Sequence, residues 1–340
     1  MRKLFFVPIL ALSLICSCGK IDSSIPDVPD TPATEPLISL SFEAETTKSF
    51  FDPTATAETW EKSLSSIDVL VFSADGNLIV QRKFNASELS AKTATFAVPN
   101  TAAGTSCEFY AAANRPITGV STKAELLALV ESDPGEYNST FAQVSTSAKR
   151  SGGFVMTGSA TKTIAAAGTR TDVALTLKRT VAKIAVQTAL SAEFANRYLG
   201  KVRINSAVLS RAASRGNVIS QGSANTGAMS YTFTQQITDA SGKFNNLFYT
   251  FENGNLAAGT RLLLTLSATY DRDGNFATTA DQVPVTYAIE LTGGGAGQFV
   301  RNGYYRVQVT IDGLTGAEAS ATITVADWES PVTQTINIGA

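Results

Sequence analysis

The chain has no histidine. That excludes Ser-His-Asp and Cys-His catalysis and every histidine-ligated metal site. Charge is scarce as well. Only 16% of the 340 residues are charged, 27 basic against 29 acidic, so no polybasic field is offered to nucleic acid or anionic lipid. There are three cysteines, and Cys16 and Cys18 both stand near the start. Cys107 is then the single thiol of the body, which rules out a disulfide within it and suits a small buried hydrophobe. The apolar run at residues 4–15 counts 12 residues, against the ~20 that a bilayer span needs.

What is present is apolar residues, 44% of the total, in a chain long enough for two ordinary domains with real cores. The short apolar run follows Arg2 and Lys3, the pattern of a secretory signal peptide over residues 1–17. It ends Ile15-Cys16-Ser17-Cys18-Gly19. An aliphatic residue at −3 and a small one at −1 resemble the lipobox of bacterial lipoproteins, with Cys18 as the lipidated (palmitate-bearing) residue and an outer-membrane anchor as the consequence. Cys16 fits less well, with Ile15 at −1. An ordinary secretory signal is the alternative. Residues 18–36 hold four prolines and three aspartates without periodicity, the composition of a disordered tether.

Residues 37–51, LISLSFEAETTKSFF, come next. Ile38, Leu40, Phe42 and Ala44 share one face and Ser39, Ser41, Glu43 and Glu45 the other, which predicts a half-buried strand. This is either the first strand of the fold or a detachable plug. Beyond it the period-two pattern recurs: Ile67, Val69 and Val71 in a strand apolar on both faces, a hairpin at Asp75-Gly76, a return over residues 78–84, then residues 95–98, 108–112, a short strand after Gly152-Gly153, and 173–177. A helix is predicted over residues 122–130, opened by a capping box of Thr122 and Glu125, with Leu126, Leu127 and Val130 as its buried stripe. Lys178-Arg179 interrupts, a new strand starts at Val181, and the domain boundary is placed there. Residues 202–204, 248–251, 262–266, 283–289, 305–311 and 323–325 follow. The fold class predicted is all-β, with one or two short helices, as two sandwiches in tandem: 37–178 and 179–340. The chain closes on PVTQTINIGA, where Val332, Gln334, Ile336 and Ile338 alternate with polar residues. Such a terminal strand must pair with something, since an open edge is sticky.

Candidate chemistry is thin. Asp271 and Asp273 precede Gly274, but the glycine is misplaced for a calcium loop and no glutamate closes it, so a hairpin turn with solvated acids is expected. Gly293-Gly294-Gly295 opens no helix and so makes no phosphate loop. The 9 tyrosines and 18 phenylalanines sit mostly at alternating positions and read as core. No enzyme, no cofactor, no metal and no nucleic-acid partner is expected.

Several segments in order resemble the FimA-type fimbrillin family, the subunits of type V pili. They are the lipobox at Cys18, the strand ending at Lys48, Val69-Leu-Val-Phe72, Tyr110-Ala-Ala-Ala-Asn114, Met156-Thr-Gly158, Arg179-Thr-Val-Ala-Lys183-Ile184, Tyr249-Thr-Phe-Glu-Asn253, Arg301-Asn302-Gly-Tyr-Tyr305 and Val325-Ala-Asp-Trp328. The resemblance implies transthyretin-like sandwiches, a lipidated precursor, and a protease of Arg/Lys specificity that releases the first strand. Lys48 occupies the position of the family's basic residue, so the cut would fall between Lys48 and Ser49. The C-terminal strand (331–340) of an identical or related subunit would then fill the vacated groove.

The residues agree with that mechanism. The plug (Ile38, Leu40, Phe42, Ala44) and the tail (Val332, Gln334, Ile336, Ile338) have the same length and period. Exchanging one for the other reburies three or four apolar side chains and a backbone ladder, on the order of 10 kcal/mol as an upper bound. Residues 49–340 carry equal numbers of acidic and basic side chains, so subunits stack without net repulsion. The alternative is a monomeric surface lipoprotein, an adhesin or glycan-binding module that keeps its first strand.

Overall fold

Alternating apolar positions become strands along nearly the whole body. The computed structural model describes residues 35–44, 51, 58–237, 244–314, 319–327 and 331–332. The first half contributes β1 (Leu37–Ala44), β2 (Ile67–Ser73), β3 (Leu78–Lys83), β4 (Thr93–Ala97), β5 (Ser106–Ala113), β6 (Val130–Glu131), β7 (Met156–Thr163) and β8 (Arg170–Arg179). The second contributes β9 (Val181–Leu190), β10 (Lys201–Ala212), β11 (Gly216–Asn217), β12 (Tyr231–Gln236), β13 (Phe244–Phe251), β14 (Leu263–Asp271), β15 (Gln282–Glu290), β16 (Gly303–Ile311), β17 (Ala319–Asp327) and β18 (Pro331–Val332). Four short helices intervene: α1 (Ala86–Ala91), α2 (Lys123–Leu127), α3 (Phe141–Val144) and α4 (Ala192–Arg197). None of the described helices is long and apolar enough to cross a membrane.

The fold is an all-β sandwich. The first sheet runs β3-β2-β5-β7-β8-β1-β4. Between β7 and β8 the ladder shrinks to two pairs, Met156–Arg179 and Thr157–Lys178. There the sheet turns, and its two halves close over one core that includes Ile38, Leu40, Phe42, Val69, Val71, Phe109, Val173 and Leu175. Gly158 marks the corner, since a Cβ there would stand 2.3 Å from the Thr176 carbonyl oxygen. In the second half, sheet β13-β9-β16-β17-β18 faces sheet β12-β10-β14-β15. Ile184, Val186, Ile204, Leu264, Leu266, Tyr287 and Val307 are among the side chains between them.

Two smaller clusters explain the strands that are apolar on both faces. The outer face of β2 and β5 (Leu70, Phe72, Tyr110) is covered by Leu126 of α2 and by Val218 and Ile219 from the second half. The outer face of β9, β13 and β16 (Ala185, Leu247, Tyr249, Tyr304) is covered by Tyr137, Val144 and Phe154 from the first half. Each half thus sends a loop across the other.

Several sequence expectations are corrected. The helix predicted over 122–130 ends at Leu127. Its capping box forms as expected, Glu125 N–H donating to Thr122 Oγ1 at 3.2 Å and Thr122 N–H to Glu125 Oε2 at 3.0 Å. Val130, however, leaves the helix and pairs with Asn217 in a two-strand ladder. The strand after Gly152-Gly153 begins only at Met156, because both glycines take positive φ. Lys178-Arg179 does not break β8; the strand runs through it and Arg179 is buried. Asp271 is buried rather than solvated, accepting from Asn275 N–H and Gln282 Nε2 at 2.9 Å each. Its burial works against ionisation, but those hydrogen bonds hold its carboxyl below the ordinary range. Pro36, placed in the tether, is buried, and its carbonyl accepts from Val98 N–H at 3.1 Å.

Candidate functional site: the groove filled by the first strand

β1 lies inside its sheet, between two different neighbours. It runs parallel to β8, from Leu37 opposite Arg170 to Ala44 opposite Leu177. It runs antiparallel to β4, from Leu37 opposite Ala97 to Ser41 opposite Thr93. Among the described residues β4 has no other partner in the sheet and stands at its edge. Inserting β1 therefore completes two ladders at once. Leu37 N–H donates to Thr169 O at 3.3 Å, and Phe42 N–H to Lys92 O at 3.0 Å. Thr93 Oγ1 donates to Leu40 O at 2.7 Å.

The alternation in 37–44 is what drives this strand into place. Ile38 and Leu40 are wholly buried and Phe42 is nearly so, while Ser41 on the opposite face is exposed. Ile38 sits between Phe96 and Thr171, Leu40 between Ala94 and Val173. Phe42 stands next to Leu175 beyond the last β4 pair, and its ring meets Phe84 edge to face at 5.3 Å. Ala44 is opposite Leu177. Lys48, Ser49, Cys18, Gln334, Ile336 and Ile338 lie outside the described residues. Val332 is placed in β18, opposite Val325 of β17.

After β1 the chain reappears at Phe51, which touches the second half. Its ring lies 5.8 Å from the Arg306 guanidinium carbon of β16, and its carbonyl accepts from Arg306 Nη1 at 3.4 Å. A short 3-10 turn follows over Thr59–Lys62. There Trp60 packs on Phe154 at 5.9 Å, and Glu61 enters the interior.

Glu61 belongs to a buried polar group that sequence reasoning missed. Its Oε1 is 2.5 Å from Lys183 Nζ, and both side chains are almost fully inaccessible. Its carbonyl accepts from Arg179 Nε and Nη2 at 3.1 and 2.8 Å. Arg179 Nη1 reaches Asn302 Oδ1 at 3.1 Å. Burial pushes the Lys183 ammonium below its ordinary pKa, and Glu61 opposes that push. Nearby, Glu131 accepts from Tyr137 OH at 2.7 Å and Thr180 Oγ1 at 2.6 Å. Arg301 binds the Val218 and Asn217 carbonyls and Glu252. The signal was in the sequence: Lys183 interrupts a strand, VAKIAV, that is otherwise apolar on both faces, and such a lysine requires a buried acid. The motifs that carry the family resemblance around Arg179, Lys183 and Arg301-Asn302 supply several of these buried polar residues.

The sequence pattern of the fimbrillin-A associated anchor proteins Mfa1 and Mfa2 matches residues 34–332. The chain belongs to this family. It is thus a fimbrial protein of the fimbrillin type, with relatives that are fimbrial or adhesion proteins rather than enzymes. A search of curated protein sequences found no match. Among solved structures, this fimbrial chain shares its fold with a fimbrilin (FimA) from Porphyromonas gingivalis, at 17% identity and TM-score 0.58, over 88% of this chain and 99% of that one. The tip fimbrial protein Mfa3 from the same organism, truncated at its C-terminus, gives 16% and 0.53 over 86% and 100%. A fimbrial assembly protein from Parabacteroides distasonis gives 13% and 0.52 over 88% and 98%.

Proposed function

We propose that this protein is a structural subunit of a cell-surface fimbria that assembles by strand replacement and supports adhesion. In this reading the chain is exported as a precursor lipidated at Cys18 and held at the outer membrane by residues 18–36. A protease of Arg/Lys specificity cuts between Lys48 and Ser49. β1 departs, and the C-terminal strand 331–340 of another subunit enters its place. The body is two sandwiches in tandem, 37–178 and 179–340, a division supported by the two main cores falling on either side of β8's end.

The observation that carries this reading is the setting of β1. It is a short strand seated in a groove between β8 and β4, the last strand of the described sheet. Removing it leaves a linear, apolar, hydrogen-bonding slot for another strand of matching period, the general geometry of strand addition. Deleting residues 332–340 tests it. The shortened protein should fold and accept a partner's strand but should donate none, so that it terminates fibres. Unchanged fibre length would contradict the donor role.

A second reading is favoured by the description of the matching family as anchor proteins. An anchor subunit would keep its lipid and its β1 and would offer only its C-terminal strand.

A further inference from the structure

The groove under β1 is not uniform. Its first two inward positions hold aliphatic side chains: Ile38 lies between Phe96 and Thr171, and Leu40 between the small Ala94 and Val173. The third holds Phe42, one residue past the last β4 pair. That ring is buried, with 6% exposure, and meets the buried Phe84 ring edge to face at 67° and 5.3 Å. Phe84 is fixed in turn by its backbone N–H, which donates to Ile67 O of β2 at 2.9 Å. The C-terminal residues 331–340, PVTQTINIGA, contain no aromatic. Whatever its register, that strand offers at most an isoleucine to the Phe42 position.

We infer, resting on the strand-replacement reading, that the groove selects its incoming strand by an aromatic side chain at the Phe42 position, and that its preferred donor is a different subunit whose C-terminal strand carries one. An aliphatic residue there leaves a void against Phe84 and forfeits the edge-to-face contact, and close-packed interiors penalise both. The mismatch disfavours a second copy of this chain as donor. Selection thus comes from what the native tail lacks as much as from what the right strand supplies. It orders two subunit types along a fibre without any charged contact.

The test uses the full chain with residues 45–50 replaced by the site of a sequence-specific protease. After cutting, the β1 segment remains seated without a covalent link. A fluorescent peptide of residues 35–44 is exchanged into the groove by warming below the melting point, and unlabelled peptides compete. The wild-type peptide should compete fully. The same peptide carrying Phe42→Ile, and the native 331–340 peptide, should each compete about tenfold less well. Among tail peptides carrying Gln334→Phe, Ile336→Phe or Ile338→Phe, the one that places its ring at the Phe42 position should recover the loss. If Phe42→Ile costs nothing, or the native tail competes as well as the wild-type strand, aromatic selection is overturned while strand replacement stands. If the labelled peptide never enters the groove, both fall together.

Discussion

At the residue scale, one buried ion pair crosses the junction between the two halves. Glu61 and Lys183 are both shut off from solvent, so removing one partner leaves the other's charge buried with less to offset it. Glu61→Ala should cost about 3–5 kcal/mol in urea unfolding, whereas Glu61→Met combined with Lys183→Met should recover most of that loss. A double variant no more stable than Glu61→Ala would show that the pair is not what holds the junction. Asp68 is a second case. It lies buried on β2 with Oδ2 unpartnered, and burial raises its pKa despite the opposing effect of Lys83. A carboxyl whose native pKa is raised makes stability fall as pH climbs from its unfolded value, near 4, through the native value. Asp68→Asn should remove that slope and stabilise the protein by about 1 kcal/mol at pH 7. Unfolding curves at pH 4 and pH 7 check it; an unchanged slope would mean that Asp68 is ionised at no cost. The sequence signals a buried acid for Lys183, through its place in an otherwise apolar strand, but does not say which one. A lysine or arginine in a strand is usually on a wet face, and what buries Lys183 and Arg179 is the crossing of loops between halves.

At the scale of elements, period two was legible almost everywhere, because each strand's apolar face is set locally. Pairing was not. That β1 runs parallel to β8 and antiparallel to β4 depends on partners far along the chain, and no local pattern encodes it. The same blindness explains the overlong helix after Thr122: Leu126, Leu127 and Val130 fit a helical stripe, but Val130 is claimed by Asn217 of β11. Likewise α1, α3 and α4 went unread, being single turns too short for a periodic signal. The position of β1 has a measurable consequence. Because β4 pairs only with β1 among the described residues, cutting between β1 and Phe51 and displacing the strand should expose the amides of residues 93–97 to rapid hydrogen exchange. The amides of β2, flanked by β3 and β5, should stay protected. Phe51 and Glu61 remain attached to the second half through Arg306 and Lys183, so residues 58–63 should keep their protection as well. Loss of protection throughout the first half would mean that β1 is a core strand whose loss unfolds the domain, not a replaceable one.

At the scale of the whole molecule, two halves interlock at a packed junction while one groove of the first half holds β1. The interlocked loops and buried polar groups join the two halves, and on the proposed reading they hold the groove in shape when β1 departs. A fibre built this way should resist salt, since the contact is apolar and backbone-mediated rather than ionic. The central claim is that β1 is absent from the assembled subunit. The intact mass of subunits dissociated from purified fibres tests it most directly. The account predicts a chain that begins at Ser49 and carries no lipid. A population that begins at acylated Cys18 throughout the fibre would contradict it.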